Sequence, residues 1–206
     1  MKRSFIATRE DGGWKRPEAS GEKGKTMPNA ILDPTGATKT TGKAAAPRAA
    51  RPASLKGARV GLLINTKQNA APFLHEVGRL LVENYGVASL TERTKKNFAM
   101  PEADEVIKEM AAAADVIVTG VGDCGSCSAA AAADGVVFEA AGVPTAVIVT
   151  ESFRATTEAM AELRGAPGFP YATTAHPVAV LTEDKVKERA AGVLADVVAL
   201  LTEKDA

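Results

Sequence analysis

The chain has few of the side chains that build most metal and nucleic-acid sites. Its 206 residues include two cysteines, two histidines and one tryptophan, and aromatic residues make up 4% of the total. Structural zinc sites with three or four cysteine ligands are excluded, because the chain has no second cysteine pair. Neither a glycine-rich dinucleotide loop after the first predicted strand nor a Walker loop occurs, so the sequence does not support a nicotinamide or ATP site.

Long hydrophobic runs are also absent. No stretch of about 18 apolar residues occurs, which excludes a transmembrane helix by the length criterion. The first residues are basic and reach Glu10 and Asp11 before any apolar segment of signal-peptide length. We therefore expect a cytoplasmic protein with no membrane partner. In that compartment a Cys-x-x-Cys pair is more often catalytic, redox-active or metal-binding than structural.

Neither sign of charge is in excess overall, because 25 basic side chains balance 25 acidic ones. The balance hides an asymmetry: residues 1–56 have 12 Lys and Arg against 5 Asp and Glu, whereas residues 57–206 have 13 against 20. A basic segment can bind nucleic acid, but this one lacks the interleaved aromatic residues of a single-strand binder. We expect no nucleic-acid partner. The favoured alternative is a segment that docks on its own body or on a neighbouring subunit, in a homo-oligomer or a paired assembly.

The composition changes abruptly near residue 56. Residues 1–56 are rich in Gly and Pro and show no sustained periodicity, which predicts an extended arm. Within the arm, Asn29–Gly36 is a short apolar run that ends in a Pro-Thr-Gly turn, and it is a candidate to dock on a sheet edge or a subunit. Residues 57–206 have the patterns of a separate α/β domain that contains both cysteines.

In this domain, five apolar strand patterns alternate with helical patterns. The alternation predicts a doubly wound, mostly parallel sheet, and five strands in about 150 residues favour a flavodoxin-like order. Ligands of such sheets bind at the carboxyl ends of the strands. The predicted strands are Ala58–Asn65, Val87–Thr91, Asp115–Val121, Thr145–Thr150 and Val178–Leu181.

The two cysteines lie in Gly120–Ser128, where an apolar strand leads through a glycine turn into an alanine-rich helix. Cys124 comes just before the predicted helix and Cys127 lies in its first turn. The helix dipole and the free N–H groups at such a position lower the pKa of a thiol. The first cysteine of such a pair is usually the exposed nucleophile, and the second resolves the adduct. Two buried structural cysteines are the alternative.

Groups beside the thiols are candidates for substrate binding. Gly125 leaves the backbone open to close approach, while Ser126 and Ser128 offer hydroxyl and N–H donors to an anionic group. The residues after the first strand can orient a carboxylate or phosphate, with an ordinary solvated loop as the alternative. These residues are Asn65, Thr66 and Lys67.

His176 precedes a proline in the loop before the last predicted strand. It is a candidate general acid and base, or a group that stabilises a thiolate, and a structural loop histidine is an equal alternative. Zinc is the competing chemical interpretation, with Cys124, Cys127 and His176 as ligands and one open position. The favoured interpretation needs no cofactor, and the signature of zinc deaminases does not occur.

The segment Gly122–Ser128 resembles the family named for a UGSC motif, in which selenocysteine or cysteine occupies the first position and cysteine the last. Cys124 matches the first position and Cys127 the last. The resemblance extends over about residues 29–203 and leaves residues 1–28 unexplained. Its supporting pieces are Ile31–Gly36, Asn65–Lys67, Glu139–Pro144, Phe153 and His176–Pro177.

This resemblance implies a nucleophilic or redox-active sulfur at Cys124, because selenocysteine replaces cysteine there in the family. The chain is also similar, more loosely, to selenoprotein subunits of reductase complexes that cleave a carbon–heteroatom bond. We therefore expect an oxidoreductase or lyase acting on an electrophilic small molecule. In it Cys124, Cys127 and His176 are catalytic, and Phe153 joins the substrate-binding residues. The alternatives are a zinc-dependent lyase or hydrolase and a non-catalytic redox subunit of a larger complex.

Overall fold

The computed structural model describes residues 9–10, 13–14 and 48–203, and the chain divides into two compact units, Met1–Gly36 and Ala37–Ala206. In the first unit, strand β1 (Arg9–Glu10) pairs antiparallel with β2 (Gly13–Trp14). The predicted apolar run Asn29–Gly36 lies outside the described residues, as does most of the basic arm. Docking of the arm on the body or on a subunit therefore stays a prediction.

The second unit is built on a sheet of five strands that all run parallel, in the order β4-β3-β5-β6-β7. The first strand of this unit lies between the second and the third, which is the flavodoxin-like order. The predicted doubly wound α/β fold is confirmed. The strands are β3 (Arg59–Ile64), β4 (Ser89–Thr94), β5 (Val116–Gly122), β6 (Thr145–Thr150) and β7 (Ala172–Thr174).

A helix follows each strand of this five-stranded sheet, so the crossovers cover the sheet on both sides. Helices α1 and α5 pack on one face, and α2, α3 and α4 pack on the other. Within the described residues, no helix combines the length and the hydropathy that a membrane span requires. The helices are α1 (Ala70–Tyr85), α2 (Asp104–Ala113), α3 (Gly125–Ala140), α4 (Arg154–Leu163, after a 3-10 turn at Glu151–Phe153) and α5 (Glu183–Leu201).

Strand β3 shows why the central strands are apolar at nearly every position. Val60, Leu62 and Ile64 pack with the apolar stripes of α1 and α5, whereas Leu63 packs with α2 and α3 on the opposite face. Successive side chains of a strand point to opposite faces, so a strand covered on both sides needs apolar residues throughout. Strands β5 and β6 are buried along their whole length for the same reason.

The fifth strand lies earlier in the chain than predicted. The apolar run Val178–Leu181 predicts a strand, but the strand is the less apolar Ala172–Thr174. Residues 178–181 form a turn instead, whose backbone is bonded to side chains and not to a neighbouring strand. Asn69 Nδ2 donates to three carbonyls of this turn, and Asp123 Oδ2 accepts from two of its N–H groups. His176 therefore follows the last strand at its carboxyl end and does not precede it.

The second strand of the sheet is also displaced from its predicted position. It runs from Ser89 to Thr94, whereas the predicted strand is Val87–Thr91, so it begins and ends later than predicted. It forms one edge of the sheet, and all six of its residues are exposed. An exposed edge strand lacks the continuous apolar run of a buried one, so its hydrophobic pattern defines its ends poorly.

The last residues of the predicted arm contact the sheet. Leu55 is 2% exposed and belongs to the main core, and Arg51 donates to both carboxylate oxygens of Glu139 at 2.7 and 2.5 Å. Glu139 also accepts from the N–H groups of Ala49 and Thr145. With four donors, this buried carboxylate holds the segment before β3 on the end of α3. The domain boundary at residue 56 stays a prediction.

A buried ion pair ties the loop after β4 to α3. The side chains of Lys95 and Asp134 are 3% and 1% exposed and form a salt bridge. Asp134 also accepts from the N–H of Glu102, while the N–H of Lys95 donates to the carbonyl of Ile64 at the end of β3. Burial raises the pKa of the Asp134 carboxyl above its ordinary value, although Lys95 opposes this. Each charge therefore depends on the other to remain in the interior.

The substitution Lys95→Met tests this dependence. We expect the free energy of unfolding to fall by about 3–5 kcal/mol, because Asp134 becomes a buried charge without a partner. The double variant Lys95→Met with Asp134→Asn removes that charge and should recover most of the loss. Urea unfolding followed by circular dichroism measures both. Equal losses in the two variants would show that the charge of Asp134 is not the cause.

Candidate active site

The two cysteines lie on the turn between the buried strand β5 and helix α3. Cys124 is the N-cap residue of α3, in an extended conformation, and its sulfur accepts a hydrogen bond from the N–H of Cys127 at 3.2 Å. The sulfur takes the place of the side-chain oxygen that usually caps a helix. Ser128 Oγ donates to the carbonyl of Cys124 at 2.8 Å and closes the first turn. Cys124 and Cys127 form a disulfide.

These two cysteines differ in exposure. Cys127 is fully buried, whereas Cys124 is partly exposed. Ser126 is exposed beside it, with its Oγ 3.6 Å from the sulfur of Cys124. A molecule that arrives from solvent can therefore reach Cys124 but not Cys127. This is the arrangement expected of an attacking thiol and a resolving thiol.

Behind the turn there is space only for glycine. A Cβ on Gly122 would lie 2.7 Å from Ser128 Oγ and 2.7 Å from a methyl group of Val149, so α3 packs directly on the end of β5. Gly125 is different, because among the described residues no atom beyond its chain neighbours and its own helix backbone lies within 4 Å of the place where its Cβ would be. The outer side of the turn is therefore open to a ligand, and the inner side is filled by the protein itself.

The residues after β3 divide into one structural and two accessible side chains. Asn65 is 5% exposed, and its amide bridges two segments: Nδ2 donates to the carbonyl of Val121, and Oδ1 accepts from the N–H of Lys67. Thr66 is exposed, and Lys67 is partly exposed with its ammonium 5.7 Å from the ring centre of Phe98. Asn65 therefore fixes the loop against the thiol turn, while Thr66 and Lys67 face outward.

His176 lies beside the end of β6. Its Nδ1 is 3.1 Å from Thr150 Oγ1 and 3.0 Å from Asp123 Oδ1, and its ring meets the ring of Phe153 edge to face at 5.5 Å. The side chain of His176 is 35% exposed, so one part of the ring contacts the protein interior and another contacts solvent. Phe153 is partly exposed at the start of α4.

Three contributors to this site are absent from the predicted catalytic and substrate-binding residues. Asp123 supplies the carboxylate that holds residues 178–179, Thr150 supplies the hydroxyl beside His176, and Phe98 covers the ammonium of Lys67. The position of Asp123 directly before Cys124 is a signal that sequence analysis can use. Thr150 ends an apolar strand and Phe98 lies in a polar loop, so neither has a distinguishing pattern.

The topology brings these residues to one edge of the sheet. Strands β3 and β5 are neighbours, and the helices that follow them lie on opposite faces, which opens a crevice at their carboxyl ends. Asn65 bonds to Val121 across this boundary, and Asp123 connects the thiol turn to the loop of His176. Ser128 is fully buried on the inner side of the turn, so its hydroxyl supports the helix start.

The predicted zinc ligands are not arranged as a metal site. In the part of the chain that the structure describes, no three His, Cys, Asp or Glu side chains converge in a way that could hold a metal ion. The sulfurs of Cys124 and Cys127 are bonded to each other, and His176 Nδ1 faces Thr150 and Asp123. This donor set does not fit zinc as it is placed.

Comparison with known proteins agrees with the likeness carried by the cysteine turn. A family model described as UGSC family matches residues 30–203, which include the whole sheet and every residue of the site. No curated protein sequence matches the chain.

Two glycine substitutions in the turn test how closely its inner side is packed. We expect Gly122→Ala to lower the free energy of unfolding by about 1–3 kcal/mol, because the new methyl group overlaps Ser128 and Val149. Gly125→Ala is the matched control and should remain within about 1 kcal/mol of the parent protein, because its Cβ meets no atom. Urea unfolding of the oxidised proteins measures both. A loss at Gly125 as large as that at Gly122 contradicts this packing.

Proposed function

Since this chain belongs to the UGSC family, we propose that it is a thiol-dependent enzyme that acts on an electrophilic small molecule. Cys124 is the nucleophile and Cys127 resolves the adduct. The products are a reduced substrate and the Cys124–Cys127 disulfide. A reducing dithiol from outside the chain then restores the two thiols, because the chain has no other cysteines.

The observation that carries this proposal is the unequal burial of two sulfurs that bond to each other. Cys124 is accessible at the N-terminus of a 16-residue helix, where free N–H groups and the helix dipole stabilise a thiolate. Cys127 is one helical turn further on, buried and within bonding distance of Cys124. A structural disulfide has no requirement for one exposed sulfur, whereas a nucleophile and its resolving partner need this arrangement.

With a disulfide substrate, the reaction follows ordinary thiol–disulfide exchange. The thiolate of Cys124 attacks one substrate sulfur, a mixed disulfide forms, and the first substrate thiolate leaves and takes up a proton. The thiol of Cys127 then loses its proton and attacks the sulfur of Cys124. The second substrate thiolate leaves and is protonated in turn. The substrate gains two electrons and two protons, and the cysteine pair loses them.

The same pair can cleave a carbon–heteroatom bond. The sulfur of Cys124 forms a bond to the substrate carbon, and the heteroatom group leaves with the electron pair of the carbon–heteroatom bond and takes up a proton. Cys127 then attacks the sulfur of Cys124, and the carbon leaves with the electron pair and accepts a proton. This second step requires a carbon activated by an electron-withdrawing neighbour. A stabilised α-carbon beside a carbonyl group is the substrate class that meets this requirement.

The surroundings of Cys124 suit a small substrate with a polar group. Thr66, Lys67 and Ser126 offer exposed donors, and the backbone at Gly125 is open to close approach. Phe153 and His176 present an aromatic surface. Asn65 and Ser128 act in this proposal by holding the loops, since both are buried and their side chains bond to backbone groups.

Counting thiolate release tests the roles of the two cysteines. The fully reduced protein is mixed with 5,5′-dithiobis(2-nitrobenzoate), and aromatic thiolate is measured by absorbance. We expect two thiolates per chain and an internal disulfide for the parent protein. Cys127→Ser should release one thiolate and retain a mixed disulfide at Cys124, which mass spectrometry identifies.

The matched variant is Cys124→Ser, which leaves only the buried thiol. We expect this variant to release aromatic thiolate more slowly than the parent protein by at least about a hundredfold, because Cys127 has no contact with solvent. Equal rates for the two single variants would contradict the assignment of Cys124 as nucleophile. Slow reaction of both thiols in the folded parent protein would contradict the proposed function as a whole.

The proposed reaction uses no metal ion. We expect protein purified without added metal to contain zinc far below one equivalent per chain, and thiolate release to be unchanged after treatment with a chelator. Elemental analysis and the thiolate assay check these two expectations. Stoichiometric zinc in the reduced protein, lost on oxidation of the pair, would instead support zinc ligation by Cys124, Cys127 and His176.

A further inference from the structure

The carboxylate of Asp123 contains a buried oxygen without a hydrogen bond. The side chain is 2% exposed, and Oδ2 accepts from the N–H groups of Val178 and Ala179 at 3.1 and 2.7 Å. Oδ1 has no hydrogen-bond donor among the described residues, although His176 Nδ1 lies 3.0 Å away, because the angle between them is not that of a hydrogen bond. An unsatisfied buried carboxylate oxygen is costly, and Nδ1 of His176 is the nitrogen within reach that can satisfy it.

The hydrogen-bond partners of Thr150 determine where the protons of Thr150 and His176 lie. Thr150 Oγ1 lies 3.3 Å from the carbonyl of Gly122 and 3.1 Å from His176 Nδ1. The hydroxyl has one proton, and a carbonyl only accepts, so Thr150 donates to Gly122 and accepts from Nδ1. Nδ1 then carries the proton and lies between two acceptors, Thr150 Oγ1 and Asp123 Oδ1. The basic nitrogen of the neutral ring is Nε2.

In the part of the chain that the structure describes, no charged side chain other than Asp123 contacts the ring of His176. The thiol turn contributes Asp123, β6 contributes Thr150, and the 3-10 turn contributes the uncharged Phe153. Two charged residues lie near Phe153 in sequence. Glu151 is exposed, and Arg154 donates to Thr173 Oγ1 at 2.7 Å. Among the described residues, Asp123 is therefore the one ionisable group within salt-bridge distance of His176.

We propose that Asp123 is a positioning residue, which holds the proton of His176 on Nδ1 and leaves Nε2 as the nitrogen that exchanges a proton with Cys124, the residue directly after Asp123. This inference rests on the proposed function of Cys124. Nε2 accepts the proton of the Cys124 thiol, and the thiolate attacks the substrate sulfur. The substrate bond to the leaving sulfur breaks, and that sulfur takes the proton back from Nε2. The negative charge of Asp123 stabilises the imidazolium between the two transfers.

The position of the proton can be measured without a substrate. The chain has two histidines, so His75→Gln leaves the signals of His176 alone in a long-range ¹H–¹⁵N correlation spectrum of histidine-labelled protein. We expect the neutral ring to carry its proton on Nδ1. In Asp123→Asn, an amide N–H takes the place of the carboxylate oxygen and should move the proton to Nε2. A proton already on Nε2 in the parent protein would overturn the proposal.

A kinetic comparison separates positioning from a purely structural role. Bis(2-hydroxyethyl) disulfide, an alkyl disulfide, has a basic leaving thiolate that needs a proton. The aromatic disulfide 5,5′-dithiobis(2-nitrobenzoate) releases a thiolate that does not need one. We expect Asp123→Asn to lower the rate at which the reduced protein reacts with the alkyl disulfide by about a hundredfold, which is within the range of general acid–base catalysis. The rate with the aromatic disulfide should fall by much less. In a His176→Gln background, Asp123→Asn should have no further effect on the alkyl disulfide.

The outcomes distinguish this inference from the proposed function. Equal slowing with both disulfides, or a further loss in the His176→Gln background, would mean that Asp123 only supports the fold and would overturn the inference. In either case the reactivity of Cys124 would remain. If Cys124→Ser releases aromatic thiolate as fast as the parent protein, the proposed function fails, whatever the position of the proton on His176.

Discussion

The carboxylate of Asp123 joins two parts of the chain that are 55 residues apart in sequence. It accepts hydrogen bonds from the backbone of residues 178 and 179, and its second oxygen faces His176. Because it is buried, the carboxylate depends on these donors to offset the loss of water. The turn at 178–181 depends on the carboxylate in return, since side chains take the place of strand partners there. The loop that carries His176 is thereby held beside the cysteine turn.

The cysteine turn is held from its other side by close packing. Gly122 lets α3 approach the end of β5, and Ser128 uses that space for its hydroxyl. Asn65 adds a polar bridge from β3 to the carbonyl of Val121. A rigid turn of this kind limits the movement of Cys124, so the pair can form and open a disulfide within one helical turn without rebuilding the fold. The outer side of the turn has no such restriction, because the space at Gly125 is open and Ser126 is exposed.

The buried elements have sequence patterns that predict their bounds more closely than those of the exposed elements do. Strands β3, β5 and β6 are covered on both faces, and their continuous apolar runs predicted them close to their true positions. The edge strand β4 is exposed on every residue, so its pattern predicted its existence but not its ends. The run Val178–Leu181 is apolar because it packs near α1 and α5, yet its backbone bonds to Asn69 and Asp123. Hydrophobicity reports burial and does not report which partner satisfies the backbone.

By itself, the sequence determined that a Cys-x-x-Cys pair lies between a buried strand and a helix, because the period of apolar residues and the glycine turn are local properties. It also determined the α/β fold and the family. Only the tertiary structure decided that Cys124 is accessible and Cys127 is not, that Asn65 bonds to the carbonyl of Val121, and that Asp123 and Thr150 face His176. Burial and hydrogen-bond partners depend on segments that are distant in the chain, and no local pattern specifies them.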